Sequence, residues 1–296
     1  MSDKISIHWF RQDLRISDNP SLIKALSHGR VLPIYIFDDV NAGRYLPGSA
    51  SCWWLYQSLI SLNHSLNHNL SVYRGDPLDI LKDLIKRFDV DAIYWNRCYE
   101  PWQINRDTKI KEDLKNHEIK VESSNSLLLW EPWQIKNAEG LPYKVFTPFY
   151  RKGCLQAESP RQPLPAPNNL QLINDQYTDG IKSLGLLSQI PWAEKFQSHW
   201  NVSEKAALES LDNFISNSLN KYKNGRDIPS ANHTSQLSPY LHFGEISPHQ
   251  VWDALQSIEH NTNTDTFCSQ LGWREFSYHL LYHCLLYTSP SPRDRG

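Results

Sequence analysis

Several features that would name a function quickly are missing from this 296-residue chain. Its five cysteines, Cys52, Cys98, Cys154, Cys268 and Cys284, are odd in number and widely spaced, with no Cys-x-x-Cys pair, so a redox couple and a zinc ribbon are both excluded and reduced, buried thiols are expected. No uncharged stretch approaches the roughly 20 residues of a membrane span, and the apolar run after Met1 is too short for a signal peptide. A cytoplasmic protein without membrane contact is therefore expected. No Gly-x-Gly-x-x-Gly follows the first apolar run, and neither a phosphate-binding Walker loop nor a nucleophile elbow is present. His279 and His283 lie four apart with no third ligand nearby, so no metal site is expected. Positive charge is scarce where a polyanion would need it: from Ser203 to His283 five basic residues face nine acidic ones.

The chain is rich in aromatics, with 11 Trp, 14 Tyr and 10 Phe. In a water-soluble chain such rings serve as core anchors, as stacking surfaces for a planar ligand, or as both. At 40% hydrophobic residues and this length, two domains of ordinary size are expected.

The first 130 residues alternate short apolar runs with amphipathic segments. Ile5 to Phe10, Val31 to Phe37, Leu70 to Tyr73, Ala92 to Trp95 and Ile119 to Val121 read as strands buried on both faces. Between them helices are predicted: one opened by Asp18-Asn19-Pro20 and closed by Gly29, then Ser49 to Asn67, Pro77 to Phe88 and Trp102 to Asn116. Strict alternation makes a doubly wound parallel α/β sheet the expected fold over 1–132. Ligands of such sheets sit beyond the carboxyl ends of the strands, where Arg11-Gln12-Asp13-Leu14-Arg15 and Asn96 to Glu100 belong. Ion pairs that pin the first of these loops are the favoured reading of its charges.

Four prolines, Pro160, Pro163, Pro165 and Pro167, rule out helix or central strand and predict a stiff interdomain linker within 133–202. Thereafter the pattern is helical: Ser203 to Asn220, around Ser238 to Leu241, Pro248 to Ser257, and Thr264 to Leu286. A partial helical domain is therefore expected over 203–286. Residues 288–296 carry two prolines and no aliphatic or aromatic side chain, and 287–296 are read as a non-native or disordered tail.

Two constellations in the helical part suggest a ligand. Thr234, Ser235, Gln236, Leu237 and Ser238 place three hydroxyls and several amides just before a helical turn, which suits a pyrophosphate, although from the motif alone an ordinary helix cap is the favoured reading. On the last helix Phe267, Gln270 and Arg274 share a face, with Trp273 three residues beyond Gln270. A buried arginine there needs an anionic ligand or a carboxylate such as Glu245 or Asp227.

These residues resemble the DNA photolyase and cryptochrome flavoproteins. The similarity runs in order through His8 to Arg15 with Asp18-Asn19-Pro20, Lys144 to Phe149, Arg226 to Pro229, Thr234 to Ser238, Tyr240 to Pro248 and Gln270 to Phe276, covering about residues 4 to 284. The resemblance implies FAD held by Tyr222, Thr234, Ser235, Gln236, Leu237, Ser238, Phe267, Gln270 and Arg274. It also implies a cavity for a flipped pyrimidine dimer at Gln270 and Trp273, DNA backbone contact at Arg226, and light-driven repair of cyclobutane dimers by electron transfer from reduced FAD. A second antenna chromophore, folate or deazaflavin, belongs to the same picture, as does a monomer acting on dimer-containing DNA.

Two departures bear on it. Gln270 stands where many dimer-repairing members carry glutamate, and Trp102 and Gln103 stand where a folate-binding subset has asparagine and glutamate. By the same comparison the second half of the flavin domain, with its electron-transfer residues, lies outside this sequence. An amino-terminal part of a longer protein, inactive by itself and prone to aggregate or unfold after Ser203, is expected. A cryptochrome-like photoreceptor without repair activity, and an antenna or nucleotide-binding module alone, are the alternatives.

Overall fold

The computed structural model describes residues 4–187 and 193–283. The amino-terminal part is a five-stranded, fully parallel sheet of β1 (Ile5–Phe10), β2 (Arg30–Phe37), β3 (Ser71–Arg74), β4 (Ala92–Asn96) and β5 (Lys120–Ser124), in the order β3-β2-β1-β4-β5. Four helices connect them: α1 (Pro20–His28), α2 (Ser49–Ser65), α3 (Pro77–Phe88) and α4 (Pro101–Asn116). Strand order reverses at β1, so the crevice beyond its carboxyl end is the switch point where such sheets bind ligands.

Side-chain alternation sends Ile7 and Trp9 of β1 toward α3 and α4, with Leu81, Leu84, Ile110 and Leu114. Phe10 goes to the other face with Leu22, Leu55, Leu59 and Leu62 of α1 and α2. The helix boundaries have local causes. Asn19 caps α1 by accepting the Leu22 N–H at 3.1 Å. Asp76 caps α3 through the N–H groups of Leu78 and Asp79, and Asp89 ends that helix in the left-handed conformation.

The second part is helical: α5 (Phe146–Pro148), α6 (Glu194–Gln197), α7 (Glu204–Asn217), α8 (Tyr222–Gly225), α9 (Ser238–Phe243), α10 (Pro248–Gln256) and α11 (Thr262–His283). Expected helices lie within one to three residues of these at most ends. The predicted end of the last one, and the tail over 287–296, fall outside the described residues.

The segment expected as a linker is packed throughout much of its length. Phe149 and Cys154 enter the helical core, next to a π-helical turn over Phe149–Gly153. Further on, the Val31 N–H donates to the Gln171 carbonyl and the Ile173 N–H to the Val31 carbonyl, both at 2.9 Å, on the edge of β2 that β3 reaches only from Ile34 onward. Ile181 and Leu184 then join the core against α2. The proline run between them, 160–167, has no regular structure, as its missing N–H groups require.

The two parts share a packed boundary. Trp53 and Trp54 of α2 belong to the helical core, and Trp54 is in contact with Trp200, Tyr240 and Phe243. The Leu14 N–H donates to the Phe243 carbonyl at 3.2 Å, and Glu204 accepts the Ile16 and Ser17 N–H groups at 2.9 Å each. Gly244 makes the approach possible: at φ 77° it adopts the left-handed conformation, and a Cβ there would lie 2.0 Å from the Gln12 carbonyl oxygen.

Candidate functional site

Beyond the carboxyl end of β1 lies a cavity of about 320 Å³, bordered by Trp9, Tyr35, Phe37, Trp102, Gln103 and Arg106 and closed from the helical side by His242 and Phe243. The charged loop after β1 is held as the favoured reading expected. Arg11 pairs with Asp107, and Arg106 reaches both Asp107 (2.8 Å) and Asp38 (3.1 Å), all buried. Burial would raise the Asp13 carboxyl, but His8, the Arg11 N–H and the Asn96 amide beside it hold it at about 2. Arg15 donates to the carbonyls of Asp18 (2.7 Å) and Gly244 (2.9 Å) and is consumed in the same scaffold. By contrast, Gln103 Oε1 is buried without a protein partner on the cavity wall.

A second cavity, about 420 Å³, opens between the 235–242 segment and α11. Its wall brings together seven of the residues chosen from the sequence: Tyr222, Ser235, Leu237, Ser238, Phe267, Gln270 and Arg274. Helical period places the last three on one face, one and two turns apart. Its volume lies within the roughly 300–1,000 Å³ usual for small-molecule sites. Thr234 and Gln236 border a smaller polar cavity of about 80 Å³ together with Ser235, Ser210 and Asn213. Gln236 has φ 54°, which turns the loop so that its neighbours Ser235 and Leu237 face the larger cavity. Two candidates lie elsewhere. Trp273 stacks on Phe146 with ring centres 3.8 Å apart, and Arg226 sits over the Tyr222 ring at 5.6 Å and 3.5 Å from Asp227.

Arg274 corrects one expectation. Its carboxylate partner is neither Glu245 nor Asp227 but the adjacent Glu275, at 3.1 Å, and the same Nη1 donates to the Leu127 carbonyl at 2.7 Å. Glu245 is committed elsewhere, to Trp54 and Ser58 across the domain boundary, while Asp227 is exposed beside Arg226. Glu275 also accepts the Leu129 and Trp130 N–H groups, at 2.9 and 3.3 Å, and burial raises its pKa to about 7 despite these donors. Arg274 Nη2 remains buried with no protein acceptor. Arg274 lines the cavity, and its Nη2 keeps N–H donors that no protein group uses.

His242 was not singled out by sequence. It borders both cavities, and burial lowers its pKa, leaving a neutral imidazole at pH 7. The available signal was its position four residues after Ser238, on the same face of α9. Tyr278, four after Arg274, was accessible by the same rule and completes the wall. Among the described residues no cluster of His, Cys, Asp or Glu suits a metal ion, and no helix is long and apolar enough to cross a membrane. Cys98, Cys154 and Cys268 are free and buried, and Cys52 is free and half-buried.

Comparison with known proteins gives a consistent result. The sequence model of the family described as DNA photolyase matches residues 6–168. A deoxyribodipyrimidine photo-lyase of Agrobacterium fabrum is 39% identical over 286 residues, covering 94% of this chain and 59% of that protein. Cryptochrome-2 of Arabidopsis thaliana is 33% identical over 301 residues, covering 95% and 49%. The crystal structure of a bacterial class III photolyase from Agrobacterium tumefaciens superposes with a TM-score of 0.88 at 37% identity, over 96% of this chain and 60% of that one. This chain thus spans about half to three-fifths of the length of these relatives.

Proposed function

This chain belongs to the DNA photolyase family, and from that premise we propose that the protein serves light-dependent repair of cyclobutane pyrimidine dimers, with FAD in the 420 Å³ cavity. The observation that carries this is the unpaired, buried Nη2 of Arg274 on a wall that also presents Ser235, Ser238, Tyr222 and Phe267. A dinucleotide needs donors for its phosphates and rings for its planar parts, and these side chains offer both. Thr234, Gln236 and Leu237 shape the turn that carries the hydroxyls.

FAD bound there would supply the one-electron chemistry that opening a cyclobutane ring requires. The protein's share is to bind, orient and exclude water. Gln270, on the same helical face as Arg274, directs its amide toward a pyrimidine edge, Trp273 offers it a plane, and Arg226 meets the DNA backbone. Extruding the lesion costs only a few kcal/mol because a dimer stacks and pairs poorly. Glu275 and the Leu127 carbonyl hold Arg274 in place from behind. The 320 Å³ cavity, with the unpartnered Gln103 Oε1, suits a second planar chromophore of folate or deazaflavin type. We place the protein in the cytoplasm, acting as a monomer.

A second reading, a photoreceptor without repair, is favoured by one feature: Gln270 supplies an amide where a carboxylate is common among repair enzymes, and a plant cryptochrome is among the relatives. One experiment separates the readings. A full-length protein carrying this chain, of the length of its relatives, is loaded with FAD, photoreduced and illuminated with dimer-containing DNA. Loss of dimers supports repair. Retained FAD with dimers unchanged favours the photoreceptor, and failure to retain FAD overturns both.

A further inference from the structure

We propose that Phe146, Tyr150 and Gly272 form a brace that fixes the plane of Trp273, so that its free face is a pre-organised stacking platform for an unpaired pyrimidine base. This rests on the reading of Trp273 as a lesion contact and names the residues that make it one.

Trp273 is 46% exposed, which for so large an apolar ring on a helix surface ordinarily means rotamer freedom. Here one face is covered. The Phe146 ring lies against it at 3.8 Å with an interplanar angle of 12°, and the Tyr150 ring lies against Phe146 in turn at 5.5 Å and 9°. Phe276 meets both Trp273 and Phe146 edge-on, at 74° and 65°, each 5.9 Å away. Three near-parallel rings are thus closed by one ring set across them, and the perpendicular contacts of Phe276 have the T-shaped geometry that aromatic quadrupoles prefer.

The base of the ladder is set by a glycine. Gly272 lies inside α11, where glycine is otherwise unfavourable, and a Cβ at that position would stand 2.4 Å from Tyr150 Cδ2. Only an absent side chain lets the tyrosine ring lie on the helix backbone. Tyr150 follows Phe146 by four residues through α5 and the π-helical turn, which keeps both rings on one side while Phe149 points into the core. The stack therefore runs from the backbone of α11, through a separate segment, back to a side chain of α11. Trp273 is one residue from Arg274 and one turn from Gln270, both on the wall of the second cavity. A base leaving a duplex would meet a plane already oriented, with no rotamer entropy left to lose.

Phe146, Tyr150 and Gly272 are positioning residues, and the test must see the orientation as well as its consequence. Protein labelled with 5-fluorotryptophan gives a fluorine resonance for each of its 11 tryptophans, and Trp273→Phe identifies the relevant one. The probes are a single-stranded oligonucleotide containing one thymine dimer and its undamaged counterpart. In the unsubstituted protein the Trp273 signal should be displaced by the neighbouring ring and should move again with the dimer oligonucleotide only. Phe146→Leu should shift the free signal toward that of exposed indole and weaken dimer binding about tenfold, leaving binding of undamaged strand unchanged. Phe146→Tyr should restore both, and the unchanged binding of undamaged strand by Phe146→Leu shows that its loss of dimer affinity is not misfolding. If the signal moves in Phe146→Leu but dimer affinity does not, or if the signal stays put, the brace is overturned while the lesion reading stands. If the unsubstituted protein does not distinguish the two oligonucleotides, the lesion reading falls and takes the platform with it.

Discussion

Glu245 takes the indole N–H of Trp54 with both carboxylate oxygens, at 3.1 and 3.0 Å, and so ties the helical part to α2 of the sheet domain through a fully buried acid. Ser58 of the same helix adds its hydroxyl at 2.5 Å. Burial outweighs these donors and raises the Glu245 pKa from its ordinary 4.5 to about 8.

A pH dependence follows from that acid. Between pH 4.5 and about 8 the folded protein holds a proton that the unfolded chain has released, so stability falls as pH rises, by up to about 1.4 kcal/mol per unit. Glu275, raised to about 7, contributes with the same sign up to that pH. Glu245→Gln should flatten the slope while keeping an acceptor for Trp54. Denaturant midpoints measured at several pH values across this window check it, and an unchanged slope would assign the effect elsewhere.

Gly244→Ala should destabilise the protein by about 3–5 kcal/mol, since it combines a left-handed backbone with a Cβ placed on the Gln12 carbonyl. Because that glycine seats the loop after β1, protease cleavage near residues 11–18 should accelerate as well. Equilibrium denaturation gives the first number and limited proteolysis the second.

Arg274→Met leaves Glu275 buried beside an apolar side chain, so its pKa should climb beyond about 7. Destabilisation of about 3 kcal/mol is expected above that pH, and distinctly less near pH 5, where the acid carries its proton in either protein. Retention of FAD should fall in parallel. A loss of stability equal at both pH values would show that packing, and not the charge pair, is what Arg274 contributes.

Ser238→Ala tests the hydroxyl-bearing turn with little risk to the fold, because Ser238 is exposed on the cavity wall and caps no helix. Weaker FAD binding by about fivefold, close to 1 kcal/mol for one lost hydrogen bond, is expected with an unchanged unfolding midpoint. Equilibrium dialysis against FAD measures it.

Asp107→Asn takes the shared counter-charge from two buried guanidinium groups, Arg11 and Arg106. A cost of about 3–5 kcal/mol is expected, with the 320 Å³ cavity losing its shape before the second cavity does. Hydrogen exchange at β1 and α4 compared with α11 would reveal that order.

Local signals were legible wherever the cause is local. The α3 helix begins and ends as its cap residues and apolar spacing require, and β1 spans the residues its apolar run predicts because a charged loop bounds that run. The 133–202 segment was harder. Its prolines announce irregular backbone correctly, but Phe149, Cys154, Ile181 and Leu184 enter two different cores through contacts with residues distant in sequence, and irregular backbone has no period to betray a buried face.

The sequence by itself determined the alternation of strand and helix, and the shared face of Phe267, Gln270 and Arg274, because a chain of fixed geometry repeats every 2 or 3.6 residues whatever surrounds it. Only the tertiary structure decided which acid Arg274 would meet, that His242 would stand between two cavities, and that Trp273 would rest on Phe146. Those outcomes depend on which surfaces close-packing brings together once water is expelled, and that is a property of the whole fold and not of any stretch of it.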